Sequence, residues 1–131
     1  MLTLTQIEDA HLKVKSGADF PQYVRDLFSL GVLQYSIYVY DGHAEYAEKG
    51  GSVLHSEAKY PVLDIANEID SERFALHLKS HQQGKTNYLT FCQNSAEAGV
   101  NKWTVDIVAR TCTYYDKSGG FVLREEIPSP L

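Results

Sequence analysis

The chain has 131 residues, 44% of them hydrophobic and 22% charged, and carries a formal charge of −5. A chain this long suits one compact domain that buries roughly two-thirds of its unfolded surface, and the composition excludes disorder. The acidic balance excludes nucleic acid as a leading partner, because holding a phosphate backbone rests on Lys and Arg. Residues 1–6 lack a basic region followed by a long apolar stretch. No run approaches the roughly 18 apolar residues of a membrane helix, so a cytoplasmic protein with no membrane partner is expected. Cys92 and Cys112 are too few for a disulfide framework and are expected as thiols.

Thr5-Gln6-Ile7-Glu8 reads as a capping box, and Ile7, Ala10, His11 and Val14 then fall on one helical face that Gly17 stops. Asp19 and Pro21 open a second helix with the stripe Phe20, Val24, Leu27 and Phe28, ended by Gly31. From Leu33 the period becomes two. Leu33, Tyr35, Ile37 and Val39 form the core set, against Gln34, Ser36, Tyr38 and Tyr40 on the other face. Asp41-Gly42 turns the chain into a short extended stretch at 44–47, and Lys49-Gly50-Gly51 turns it again into 52–57. In residues 58–70, Lys59-Tyr60-Pro61 breaks regularity. Val62, Leu63, Ile65, Ala66 and Ile69 predict a short amphipathic helix in a packed connector. Helices are then predicted over 71–83 and 87–98, with Gly84 and Gly99 as stops, and strands over 102–108, 111–115 and 121–126.

The same order of elements thus occurs twice, and so do the residues. His11-Leu12-Lys13 returns as His77-Leu78-Lys79, Gly31-Val32 as Gly99-Val100, and Tyr35, Ile37 and Val39 as Trp103, Val105 and Ile107. Tyr46 answers to Tyr114, Gly50-Gly51 to Gly119-Gly120, and Val53-Leu54 to Val122-Leu123. Matches at a nearly constant offset are the mark of an internal repeat. The expectation is an α+β fold: a tandem duplication of an ααβββ unit, residues 1–57 and 71–131. Its antiparallel sheet or sheets would pack against helices with pseudo-two-fold symmetry, in one domain spanning 1–131. The copies differ in charge. Residues 1–57 hold four basic and eight acidic side chains, against seven and six in 71–131, so one face of one copy is expected to be specialised.

The repeat bears on each candidate for chemistry. His77 and His81 stand at i, i+4, a spacing that can turn two imidazoles toward one metal ion, with Cys92 as a conjectural third ligand. His11 matches His77, however, and Cys92 matches Val24, which favours packing; Cys112 matches Ala44 and is read the same way. Gln83-Gly84-Lys85-Thr86 is no phosphate-binding loop, because Lys79 stands where the earlier glycine belongs and a helix precedes it. The glycine pairs are read as hairpin turns, so no cofactor is expected. Tyr38 and Tyr40 face away from the core, and Tyr46, Tyr114 and Tyr115 lie near the hairpins, where aromatic area suits contact surfaces. Asp41, His43 and Glu45 could rim a pocket. His43, His81, Asp106 and the divergent charge have no counterpart across the repeat, and together with Tyr38 and Tyr40 they are the candidate binding surface.

The pattern His81-Gln82-Gln83-Gly84-Lys85-Thr86, Thr90-Phe91-Cys92, Ala98-Gly99-Val100, Trp103, Asp106 and Cys112-Thr113-Tyr114-Tyr115-Asp116 closely resembles the YbcV-like family. So does Val14-Lys15-Ser16-Gly17-Ala18-Asp19-Phe20 near the start. The resemblance runs over essentially the whole chain. These are small enterobacterial and prophage proteins with a domain of unknown function, some labelled phage envelope proteins. The resemblance implies a prophage-associated origin and brings no catalytic or binding residues with it. The expected function is a non-enzymatic binding or protein-interaction module, with a second copy of the chain or another protein or small molecule as partner. The alternative is a small metal- or thiol-dependent hydrolase using His77, His81 and Cys92.

Overall fold

The structure, a computed structural model, describes residues 2–14 and 19–127. The elements run α1 (Leu4–His11), α2 (Phe20–Ser29), β1 (Val32–Tyr38), β2 (Ala44–Glu48), β3 (Val53–His55), α3 (Ser71–Gln82), α4 (Tyr88–Glu97), β4 (Val100–Asp106), β5 (Thr111–Asp116) and β6 (Phe121–Glu126). The fold is α+β, with two helices and three strands in each half of the chain. The six strands form one antiparallel sheet in the order β3-β2-β1-β4-β5-β6.

Helix starts follow local chemistry. α1 begins two residues before the expected box: Thr3 is the N-cap, its hydroxyl accepts from the Gln6 amide, and the Gln6 side chain accepts from the Thr3 amide. The pair Thr3/Gln6 satisfies the same two orphan donors that Thr5/Glu8 was expected to satisfy. α3 and α4 start at Asp70 and Asn87, whose side chains accept from Arg73 and Thr90 amides. The expected stop at Gly17 lies outside the described residues.

The centre of the sheet is the pairing of β1 with β4, in which Ser36 faces Thr104, Tyr35 faces Val105 and Ile37 faces Trp103. Beyond the ladder, the Val39 amide donates to the Asn101 carbonyl and the Ile107 amide to the Leu33 carbonyl. Bulges interrupt β1 between Val32 and Gln34, and β4 between Val100 and Lys102. A bulge resets the alternation of faces. It therefore turns Val32 and Val100 fully inward, and Leu33, expected in the core set, is only half-buried.

One face of the sheet packs on the helices. Tyr35, Ile37, Tyr46, Trp103, Val105 and Tyr114 join Tyr23, Val24 and Leu27 of α2, Phe74 and Leu78 of α3, and Phe91 and Cys92 of α4 in one buried cluster. The aromatic rings interlock: Tyr35 lies 5.5 Å from Tyr46, Trp103 5.9 Å from Tyr114, and Phe74 4.9 Å from Tyr114. Among the described residues no buried side-chain oxygen or nitrogen lacks a hydrogen-bond partner.

Residues 58–70 do not form the expected helix. Their backbone donors are spent outside the segment, Leu63 to the Tyr40 carbonyl, Ala66 to Ala96 and Asp70 to Ala98. Pro61 has no donor and pushes Tyr60 away from helical dihedrals. The segment is held against the end of β1 and along α4, with Ile65 buried and Val62 exposed.

Candidate functional site on the open face of the sheet

Strand periodicity sends every second side chain to the face opposite the helices. Across all six strands the register aligns His55, Glu45, Ser36, Thr104, Thr113 and Arg124, each opposite the next. The row beside it runs Tyr38, Lys102, Tyr115 and Phe121, and the row on its other side runs Gln34, Asp106, Thr111 and Glu126. A concavity of about 340 Å³ lies over these rows, lined by Gln34, Ser36, Lys102, Thr104, Asp106, Thr111, Thr113, Tyr115 and Arg124. Every lining side chain carries a hydrogen-bonding group.

The groups in this concavity are positioned by one another. Ser36 Oγ and Thr104 Oγ1 are hydrogen-bonded at 2.8 Å across the β1–β4 seam. Arg124 bends back over β5, its Nε donating to Thr113 Oγ1 at 3.2 Å, while its guanidinium carbon stands 5.8 Å from the Phe121 ring centroid. Lys102 Nζ lies between two phenol rings, 5.7 Å from the Tyr38 centroid and 5.5 Å from that of Tyr115. Ring faces are electron-rich, so this arrangement orients the ammonium without neutralising it. The ion pairs among the described residues are Asp41–His43, Glu45–His55 and Glu97–Arg73, and Lys102 and Arg124 belong to none of them. Asp106 accepts from the Ala109 amide at 2.9 Å.

Three of the sequence candidates meet at the end of β1. The His43 ring is stacked on Tyr38, with centroids 4.5 Å apart and planes 5° from parallel, and Tyr40 meets His43 edge-on at 5.4 Å. The Asp41 carboxylate accepts from both the His43 ring and the His43 amide, which fixes the imidazole against Tyr38. Tyr38 also hydrogen-bonds Glu45. That bond to a carboxylate, with burial adding to it, pushes the phenol up to about 12. Tyr38 therefore joins this cluster to the Lys102 row, and Asp106 lies in the concavity itself.

His81 is elsewhere. It stacks on Phe91 at 4.5 Å within the helical layer and its Nδ1 donates to the Thr86 carbonyl at 3.1 Å; burial lowers its pKa, partly opposed by that bond. The ring sits on the buried aromatic of α4 as His11 sits on Tyr23 of α2, at 5.4 Å. His77 accepts a bond from Arg73 Nε at 3.4 Å. Cys92 is buried and hydrogen-bonded with Tyr60 and Tyr88, and burial raises its pKa; burial pushes Cys112 up to about 12. Raised thiols carry little thiolate at neutral pH and make poor nucleophiles. Among the described residues no group of three His, Cys, Asp or Glu side chains is placed to hold a metal ion, so His77, His81 and Cys92 are not gathered into a site.

The sequence reading did not single out Ser36, Lys102, Thr104, Thr111, Thr113 or Arg124 as site residues. Their signal was the polar alternate of each strand, which becomes a surface only when register places the six strands side by side.

The profile of a family described as a protein of unknown function, DUF1398, matches residues 8–126. The chain belongs to the DUF1398 family. No curated protein matches it. The DUF1398 match covers all six strands and both the open-face concavity and the His43 cluster. No helix among the described residues is long and apolar enough to cross a membrane.

Proposed function

We propose that this protein is a non-enzymatic binding module whose open sheet face takes a small, water-soluble molecule. The observation that carries the reading is the concavity of about 340 Å³, within the usual range for ligand sites, lined by hydroxyls, an amide and charged groups. A protein partner is favoured less by this lining, because the cores of protein interfaces are apolar and depleted of charge. The YbcV-like resemblance extends the proposal to a prophage-associated origin.

The proposal includes one domain built by duplication of an ααβββ unit, with residues 58–70 as connector. Its support is the reciprocity of the central pairing. At an offset of 68, Ser36 opposes its own counterpart Thr104, and the Val39→Asn101 and Ile107→Leu33 bonds are exchanged copies of each other. Gly42 and Arg110, also 68 apart, both take positive φ, 77° and 60°. On this reading the site straddles the seam between the copies.

The test is an NMR titration of isotope-labelled protein with the low-molecular-weight fraction of a bacterial extract. Amide shifts should cluster at residues 34–38, 102–106, 111–115 and 124, and disappear in Thr104→Trp, which fills the concavity. Shifts confined to the helical face, or no shifts, would overturn the reading.

A further inference from the structure

The open face is electrostatically polarised, and this decides what kind of molecule it can hold. Resting on the binding-module reading, we propose that the ligand is a small polyol carrying one oxyanion, a phosphate monoester or a carboxylate, with the oxyanion held between Lys102 and Arg124.

Three rows lie side by side on this face. Lys102 stands in the first and Arg124 in the second, separated in the hydrogen-bonding direction only by β5. Two strand spacings are about 10 Å, and successive rows on one face are about 7 Å apart, a gap two long side chains close readily. Arg124 is already turned inward by its bond to Thr113, and Lys102 is held upright between Tyr38 and Tyr115. Both cations lack a carboxylate within ion-pair distance among the described residues, and Glu45, two strands from Lys102 on β2, is occupied by Tyr38 and His55. Two orientated cations with no internal counter-ion form a receptor for an external one.

The third row has the opposite character. Gln34, Asp106, Thr111 and Glu126 offer acceptors, and the two carboxylates repel an anion from that side. They suit hydroxyl donors instead. Between the two ends, Ser36, Thr104 and Thr113 supply hydroxyls that both donate and accept. A molecule with an oxyanion at one end and hydroxyls along the rest matches cation, hydroxyl and carboxylate in the order in which the sheet presents them.

The experiment is calorimetric titration of the full chain with ribose 5-phosphate, gluconate, ribose and inorganic phosphate, repeated on Lys102→Met and Arg124→Met. Neither side chain is buried, and amide spectra would verify that both variants fold. The expected result is binding of ribose 5-phosphate or gluconate at least about tenfold tighter than ribose, with each variant losing about ten- to a hundredfold, the worth of a charged hydrogen bond. Which of the two acids binds more tightly identifies the oxyanion. Ribose binding as well as its phosphate, or unchanged affinity in both variants, would overturn the proposal. Inorganic phosphate binding as tightly as the sugar phosphate would remove the polyol from it. If the cell extract perturbs the open face while none of the four compounds binds, the oxyanion class fails and the binding face stands; if the extract also leaves the face unperturbed, both fail.

Discussion

Gly31 and Gly99 provide a controlled comparison of two alanine substitutions. Both follow a helix, and both hold positive φ, 98° and 95°. An L residue there costs about 1–2 kcal/mol in backbone strain, the same for both. They differ in surroundings. A Cβ on Gly31 meets nothing within 4 Å, whereas one on Gly99 would lie 2.6 Å from the Glu68 carbonyl oxygen and 2.9 Å from Ile69 Cα. Those are backbone atoms, and the segment bearing them is tied to α4 by Ala66 N→Ala96 O at 2.9 Å and Asp70 N→Ala98 O at 2.8 Å. Relief requires moving the connector, and overpacking of that kind adds about 1–3 kcal/mol. Gly31→Ala should therefore cost about 1–2 kcal/mol, and Gly99→Ala about 2–5 kcal/mol. Urea denaturation monitored by tryptophan fluorescence measures both, with an unchanged slope validating the comparison. Equal midpoint shifts in the two variants would refute the packing of residues 66–70 against α4.

Glu45→Gln should bring the Tyr38 phenol down from about 12 toward its ordinary value of 10.0, because the charged acceptor that favours the protonated phenol is gone; ultraviolet titration of the variant against Tyr38→Phe reads it. Cys92 and Cys112 should react with a thiol reagent at pH 8 at least about a hundredfold more slowly in the native protein than in urea, and rapid native labelling would contradict their burial. Burial lowers the folded pKa of His81 below 6.5, so the unfolded chain binds the extra proton first. The contribution of this residue to stability is complete above about pH 6.5 and is lost as pH falls through the lowered value. His81→Gln should flatten the fall in urea midpoint between pH 7 and pH 5, and an unchanged slope would remove His81 as its source.

Element order was legible because its signals are local. Changes of hydrophobic period at Leu33 and Lys102 mark strands, and Gly31 and Gly99 mark helix ends, whatever the rest of the chain does. The structure departs from the sequence pattern where tertiary contacts decide. The apolar spacing of Val62, Ile65 and Ile69 reads as one helical face, but Tyr40, Ala96 and Ala98 take the backbone donors that a helix would need. The bulges at Val32 and Val100 could not be read from alternation, because each breaks the period it would be inferred from. The candidate site was half legible: Tyr38, Tyr40 and His43 are close in sequence and close in space. The other half is assembled from β1, β4, β5 and β6, so Ser36 and Arg124 become neighbours of one surface only through register.

The proposed correspondence between the halves explains why chemistry gathers on one side of the seam. Facing the helices, counterparts keep their character, Tyr35 with Trp103, Ile37 with Val105 and Tyr46 with Tyr114, because each must fill the same share of one packed layer. On the open face no packing constrains them. Gln34 corresponds to Lys102, Tyr38 to Asp106, Glu45 to Thr113 and His55 to Arg124, so the second half gains two permanent cations while its acid moves from the central row to the row beside it. The same replacement removes the carboxylate that could neutralise Arg124 from the adjacent strand, whereas His55 keeps Glu45 as its partner. In the first half the central row is closed by its own ion pair. In the second it ends in an arginine that, among the described residues, is bonded only to a hydroxyl and packed on a ring. Restoring the carboxylate is accordingly the sharpest test of the divergence. Thr113 is buried beneath Arg124, so amide spectra must first verify that Thr113→Glu folds; the folded variant should pair Arg124 internally and abolish oxyanion binding. Undiminished binding by that variant would show that Arg124 does not hold the ligand.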